Sequence, residues 1–329
     1  MRRFRGPERG GTGLPGPGTG VAVLAGLALF FWLAGGFQPS AIPSYASSPR
    51  EITGMALMLT LLPGYLLVGA SLGQRRSLAL VEMLRARLPE PGAREAAAAA
   101  IHGALGRAWL PGTAAGIAMG LLNTSPTAIF ASQVPILQGS ISLGQLFLWW
   151  VIGMLLAVRV TVAGAFRRLA EQVELDLFRP DVLKPIARSG VVDVAIIAGA
   201  LLLTPLQSLD AEFRWYNYRF GLLVGLPAAA FFLVWPLLPL HRRNRAERDA
   251  RLALLEDQIA ALGTAPPASA DVSAQLEALL AHRDRLRAAR TWPLSTGLLS
   301  RVVLYLVIPP LAWAASAVVE RAVDILLGP

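Results

Sequence analysis

An all-α, polytopic membrane protein with about seven transmembrane helices and a cytoplasmic antiparallel coiled-coil hairpin is predicted by three observations. Hydrophobic residues make up 54% of 329 positions and gather into seven long apolar stretches. Lysine and arginine fall almost entirely in alternate connecting segments. The connection between the last two stretches is long, charged and heptad-patterned.

The apolar stretches run over residues 21–37, 52–72, 108–122, 143–166, 191–206, 220–240 and 298–319. Most approach the ~20 residues that a ~30 Å hydrocarbon core requires at 1.5 Å per residue. The third and fifth are short. Four domains are expected: a cytoplasmic basic Gly/Pro-rich tail (1–20), a six-helix transmembrane bundle with short amphipathic cytoplasmic helices (21–240), the hairpin (241–292), and a final transmembrane helix with an outer-face tail (293–329). Arg2 and Arg3 precede an apolar run, but the glycine-rich stretch 10–20 intervenes and no small-residue cleavage site follows, so the first helix is expected to be uncleaved.

Charge orients these spans, because cationic loops are retained in the cytoplasm. The tail, the second, fourth and sixth connections carry 24 basic residues, and the opposite side carries only Arg50, Arg214, Arg219 and Arg321. The amino terminus is therefore predicted inside and the carboxyl terminus outside. Were 108–122 a re-entrant loop, every later connection would change sides and the pattern would invert. The aromatic cluster Phe213, Trp215, Tyr216 and Tyr218 then falls at the outer interface, with Trp109 and Trp292 at the inner one. Arginine outnumbers lysine 29 to one, and alanine and leucine usage is heavy, which predicts a GC-rich bacterium and its inner (plasma) membrane. The net charge of +9 is spread over loops and not gathered on a folded basic module, so a nucleic-acid partner is not expected.

Between the second and third spans, Leu78, Val81, Leu84 and Leu88 recur at helical spacing among Glu82, Arg85 and Arg87, predicting a short interfacial helix on the inner leaflet. The alanine run 96–100 has high helix propensity and is expected to lead into span three. After span four comes Leu-Asp-Leu-Phe-Arg-Pro-Asp-Val-Leu-Lys-Pro-Ile-Ala-Arg-Ser-Gly at 175–190. This segment resembles one in a group of uncharacterised multi-pass bacterial inner-membrane proteins, where an acidic-hydrophobic run, an Arg-Pro and a later Ala-Arg-x-Gly also lie between two spans. The resemblance extends over 151–262; it implies a shared membrane fold and brings no activity with it.

Residues 241–291 differ from the rest. Leu252, Leu255, Ile259 and Leu262 step by 3, 4 and 3, and Val272, Leu276, Leu279 and Leu286 resume the seam after Gly263, Pro266 and Pro267. Two helices folding back on each other are expected, with arginines 242–251 and 283–290 crowding the membrane-proximal ends where lipid phosphates lie. About 50 residues far exceed the roughly 2–8 that join adjacent helices. Two readings stay open: a solvated hairpin closing a loop, and an arm docking a cytoplasmic partner.

The chain holds no cysteine, which excludes disulfides, thiolate catalysis and Cys-based metal sites. His102, His241 and His282 occupy three separate positions, and no HExxH, GxSxG or GxGD pattern is read as supporting an intramembrane hydrolase. No cofactor, metal site or catalytic residue is expected, and the protein is predicted not to be an enzyme. Charges inside the spans are few: Arg159, Asp193 and Arg301 could form a buried polar cluster, or the arginines could snorkel while Asp193 caps a helix start. Gly112, Gly116 and Gly120 form a glycine zipper suited to close helix packing. Pro63, Pro227, Pro309 and Pro310 are expected to kink spans two, six and seven.

The function expected is a non-catalytic membrane scaffold, assembly or sensory/regulatory protein that engages a cytoplasmic protein partner, or a second copy of itself, through the hairpin. The alternative is a small-solute or lipid transporter or channel whose pathway uses the kinked helices, since interrupted helices are where transporters place substrates.

Overall fold

The computed structural model describes residues 16–38, 48–84, 88, 91–124, 136–174, 184–208, 215–263, 270–289, 291–292, 297, 300–305, 307–308 and 311. Among them there is no strand. The helices are α1 (Pro17–Leu33), α2 (Pro49–Met83), α3 (Pro91–His102), α4 (Ala104–Asn123), α5 (Ile136–Gln172), α6 (Lys184–Leu203), α7 (Trp215–Val234), α8 (Leu238–Gly263) and α9 (Ala270–Ala288). Short 3-10 segments continue α6 (Thr204–Ser208) and join α7 to α8 (Trp235–Leu237). Four helical runs are long and apolar enough to cross a membrane: Pro49–Met83, Ile136–Gln172, Lys184–Gln207 and Arg219–Leu262; Pro17–Leu33 is a shorter apolar helix. The described residues are thus all-helical and include four candidate membrane-spanning helices. Residues 312–319 of the seventh stretch, Pro309, Pro310, residues 1–15 of the tail, 175–183 of the resembling segment, Phe213 and the side chains of Trp215, Tyr216 and Tyr218 lie outside the described residues.

Local chemistry sets the helix ends. Pro17 opens α1 at a position whose N–H would be unpaired anyway. Gly35, at φ 83°, closes it, with Gly36 N–H donating to Phe31 O at 2.8 Å, so the helix ends four residues before the apolar stretch does. α2 starts on a capped turn: the Ser48 side chain accepts from Glu51 N–H at 3.1 Å and Pro49 occupies the first helical position.

α2 then runs for 35 residues, ~52 Å at 1.5 Å per residue. The separate interfacial helix expected at 78–88 is instead the continuation of α2 as far as Met83. No proline interrupts 64–83, and Val81 and Leu84 are drawn into a core with Ile101, Phe166, Leu169 and Ile186. Arg94 of α3 donates to Glu82 at 3.1 Å beside it.

α5, at 37 residues or ~55 Å, is the axis of the fold. One core lies along its first half, where Leu148, Val151 and Leu155 meet Phe31 of α1 and Leu59 and Leu62 of α2. The second surrounds its last half, where Phe166 and Leu169 meet the carboxyl-terminal end of α2, helix α3 and the α7–α8 junction at Leu237 and Leu240. A third, smaller cluster joins α6, α7 and Val302. α4 lies against α5, α1 against α2, and α6 against both α2 and α7.

α8 and α9 face each other through Leu255 and Leu286, with Leu252 and Leu279 packed on them. Their chains run in opposite directions: Arg287 reaches Glu256 at 2.9 Å, and Asn244 donates to Thr291 O at 3.2 Å near the base.

Candidate functional site

Four helices, α2, α5, α6 and α7, leave a cavity of about 120 Å³ between them. Its walls are aliphatic and aromatic, and one end is closed by Arg159 of α5 and Asp193 of α6. The register is consistent on every wall. Ala70 and Phe232 stand at the charged end, and Leu62, Trp149, Thr204 and Gly221 at the other. On α5 the ten residues from Trp149 to Arg159 measure ~15 Å along the helix.

Arg159 and Asp193 form an ion pair, Nε to Oδ1 at 2.5 Å, with side chains 7% and 6% exposed. α6 begins at Lys184, so Asp193 lies well inside the helix and is not a cap, and Arg159 is buried and does not snorkel. Arg301, the third residue expected in this cluster, is exposed and does not share the pair's burial. Among the described residues the two terminal nitrogens of Arg159 have no hydrogen-bond partner. Gly73 of α2 lies beside them: a Cβ built there would stand 3.6 Å from one of these nitrogens, at ordinary van der Waals contact. A buried charge is costly unless paired and hydrogen-bonded, and among the described residues Asp193 is the partner this guanidinium has.

The glycines of α4 face α5. A Cβ built on Gly112 would meet Met154 Cα at 2.8 Å, and one on Gly116 would meet Trp150 Cα at 2.6 Å. The complementary residue is Gly153 of α5, which faces Gly112 and Gly116. Its place inside a long apolar run gave no hint of this role. Trp150 Nε1 donates to Thr113 Oγ1 at 3.2 Å across the same contact. Pro63 and Pro227 both lie inside continuous helices, α2 and α7. The run from α7 to α8 is interrupted at Trp235–Leu237, where Pro236 stands.

At the base of α8 the arginine band is not uniform. Arg243 turns inward and donates to Ala170 O at 2.9 Å and Val173 O at 3.1 Å, closing the carbonyls left open at the end of α5. His241 stacks on Trp292 with ring centroids 4.3 Å apart. Farther out, the arginines pair with neighbouring acids, as in Arg251 with Glu247 at 2.8 Å. Of the heptad residues, Leu255 and Leu286 are buried, and Leu252, Ile259, Leu262, Leu276 and Leu279 are half-buried.

One Gly-x-Ser-x-Gly string does occur, at Gly69-Ala70-Ser71-Leu72-Gly73. It lies in mid-helix, where Ser71 is buried and donates to Val68 O at 2.8 Å, so it lacks the strand-to-helix turn that exposes a nucleophilic serine. Among the described residues no group of three His, Asp or Glu side chains is placed to hold a metal ion. No protein-family model, no curated protein and no solved structure matches the chain.

Proposed function

We propose that the protein is a non-catalytic scaffold or regulatory subunit of the bacterial inner membrane, with its amino terminus in the cytoplasm, which engages a cytoplasmic protein partner through α8 and α9. In this reading the two helices form an antiparallel coiled-coil hairpin, and α1, α4 and the stretch from 298 to 319 join the four longer helices as spans. The observation that carries it is the fixed base of the arm. Arg243 is bonded to the end of α5, Asn244 to Thr291 O, and His241 is stacked on Trp292. Beyond that base α8 extends to Gly263, ~30 Å past Asn244 at 1.5 Å per residue. An arm anchored at its root and projecting this far presents a pre-ordered surface, which lowers the ordering cost of docking. The arginine asymmetry of the connecting segments supports the orientation.

The test is a photo-crosslinking side chain at Leu254, 64% exposed on α8, in the protein expressed in its native host. One stoichiometric soluble protein captured at Leu254, and lost when residues 245–290 are replaced by a short linker in a chain that still inserts, is the expected result. Crosslinks to lipid alone would overturn the reading.

The runner-up, a transporter or channel for a small solute or lipid, is favoured by the cavity, since Pro63 and Pro227 sit in two of the helices that wall it. Flux through proteoliposomes that survives filling the cavity by Ala200→Phe would remove it.

A further inference from the structure

An exposed arginine stands at the end of an exposed apolar run on α2, on α4, on α5 and along α7 and α8. On α2, exposed Leu72 is succeeded by exposed Arg75 and Arg76. On α4 the order is reversed, with exposed Arg107 just before exposed Trp109 and Leu110. On α5 exposed Val160 gives way to exposed Arg168, and from α7 to α8 exposed Val234 gives way to exposed Arg242. Each change takes no more than eight residues, as it must where hydrocarbon ends and headgroups begin.

Packing gathers these arginines at one end of the bundle. Gly69 and Gly73 of α2 face Ile196 and Val192 of α6, so the two chains run in opposite directions, and Arg75 and Arg76 fall within about a turn of exposed Arg188. Arg243, donating to Ala170 O, brings its neighbour Arg242 to the end of α5 that carries Arg168. The buried core at this end also takes in Ala104 and Ala108, on either side of Arg107.

Ion pairing separates this collar from the arm. Arg245 and Arg248 reach Asp249 at 3.6 and 3.0 Å, Arg251 reaches Glu247 at 2.8 Å, and Arg287 reaches Glu256 at 2.9 Å. Among the described residues no carboxylate pairs with the six arginines of the collar.

We propose that this collar binds the phosphates of anionic phospholipid headgroups. A guanidinium presents paired N–H donors that match two phosphate oxygens. A zwitterionic headgroup carries its own cation beside the phosphate and gains less from the collar. The inference rests on the chain spanning the membrane and needs no partner for the arm.

The chain holds no cysteine, so single spin labels can fix the boundary in full-length protein reconstituted into vesicles of phosphatidylcholine and phosphatidylglycerol. A label at Leu72→Cys should be relaxed chiefly by dissolved oxygen, and one at Ala79→Cys, exposed beyond Arg76, chiefly by a water-soluble nickel chelate. With the label on the lipid instead, phosphatidylglycerol should be enriched beside the unaltered protein over phosphatidylcholine by about fivefold. That is the fold-change equivalent to the ~1 kcal/mol of one basic residue at an anionic surface. The preference should fall toward one in about 1 M salt, where the screening length is ~3 Å.

Arg75→Gln, Arg76→Gln and Arg188→Gln together should cut the preference by half or more, and lysine at the same three positions should keep it. Arg245→Gln, Arg248→Gln and Arg251→Gln together should leave it unchanged. Equal enrichment of the two lipids, a preference untouched by salt, or a larger loss from the arm substitutions than from the collar ones would overturn the proposal. So would labels at 72 and 79 that report the same phase. The boundary and salt measurements use no neutralised variant, so they decide the matter even if the glutamine variant fails to insert. Crosslinking at Leu254 is unaffected by any of these outcomes.

Discussion

Substituting Gly116 by alanine adds one methyl group at the tightest contact between α4 and α5. A carbon at that position would lie 2.6 Å from Trp150 Cα, 2.8 Å from Trp149 O and 3.0 Å from Trp150 O. Optimal carbon–carbon separation is ~3.5–4.0 Å, so one helix must withdraw by ~1 Å. The obstructing atoms are backbone, so no rotamer change relieves them. Withdrawal also opens the contacts of Gly112 with Met154 and of Gly120 with Leu146, and lengthens the Trp150-to-Thr113 hydrogen bond. Overpacking of this kind costs ~1–3 kcal/mol, and the backbone on both sides puts it at the upper end. Alanine regains ~1 kcal/mol of helix propensity over glycine. The expected net loss is therefore ~2 kcal/mol.

The assay is thermal unfolding in mild detergent, with Gly26→Ala as the matched control. Gly26 lies inside α1 with nothing within 4 Å of a Cβ built on it, so the same substitution should leave stability unchanged or raise it slightly. A fall of several degrees for Gly116→Ala and none for Gly26→Ala is the expected pair of results. Equal behaviour of the two variants would refute the close approach of α4 to α5.

Arg243→Met should loosen the end of α5 by ~1–3 kcal/mol, because Ala170 O and Val173 O lose a charged donor; faster hydrogen exchange over residues 170–174 would register it. Arg159→Met alone leaves Asp193 buried and unpaired and should cost ~3–5 kcal/mol, whereas adding Asp193→Leu should restore most of that, which a double-mutant cycle on thermal stability measures. Leu286→Ala, at a side chain with 0% exposure, should destabilise the α8–α9 contact by ~2–5 kcal/mol and speed exchange there without altering the α4–α5 core. Charge reversal at both Glu256 and Arg287 should change stability by no more than ~1 kcal/mol, since both are about half exposed.

Helical character was legible because runs of apolar residues act within a turn or two of chain. Pro17 and Pro49 at helix starts and Gly35 at an end are equally local, yet the first apolar run reads from 21 to 37, past Gly35, because hydropathy does not register a backbone that turns to positive φ. The spacing of Gly112, Gly116 and Gly120 marked a packing face, but not that Gly153 would meet it. The stretch 78–88 read as a lipid-facing amphipathic helix because periodicity reports an apolar stripe without saying what covers it. In the fold the stripe is covered by Phe166, Leu169 and Ile101, which come from α5 and α3.

The amino-acid sequence by itself determined that this chain is helical, where its apolar runs lie, and how unevenly its arginines are distributed, since these depend on neighbours a few residues apart. The tertiary structure alone decided which charges are buried. Arg159 and Asp193 are 34 positions apart, and Arg243 lies 70 beyond Val173, so their partners follow from which helix faces meet. That choice is made by the packing of all the helices at once, where the cost of an unpaired buried charge outweighs the local preference of an arginine for water.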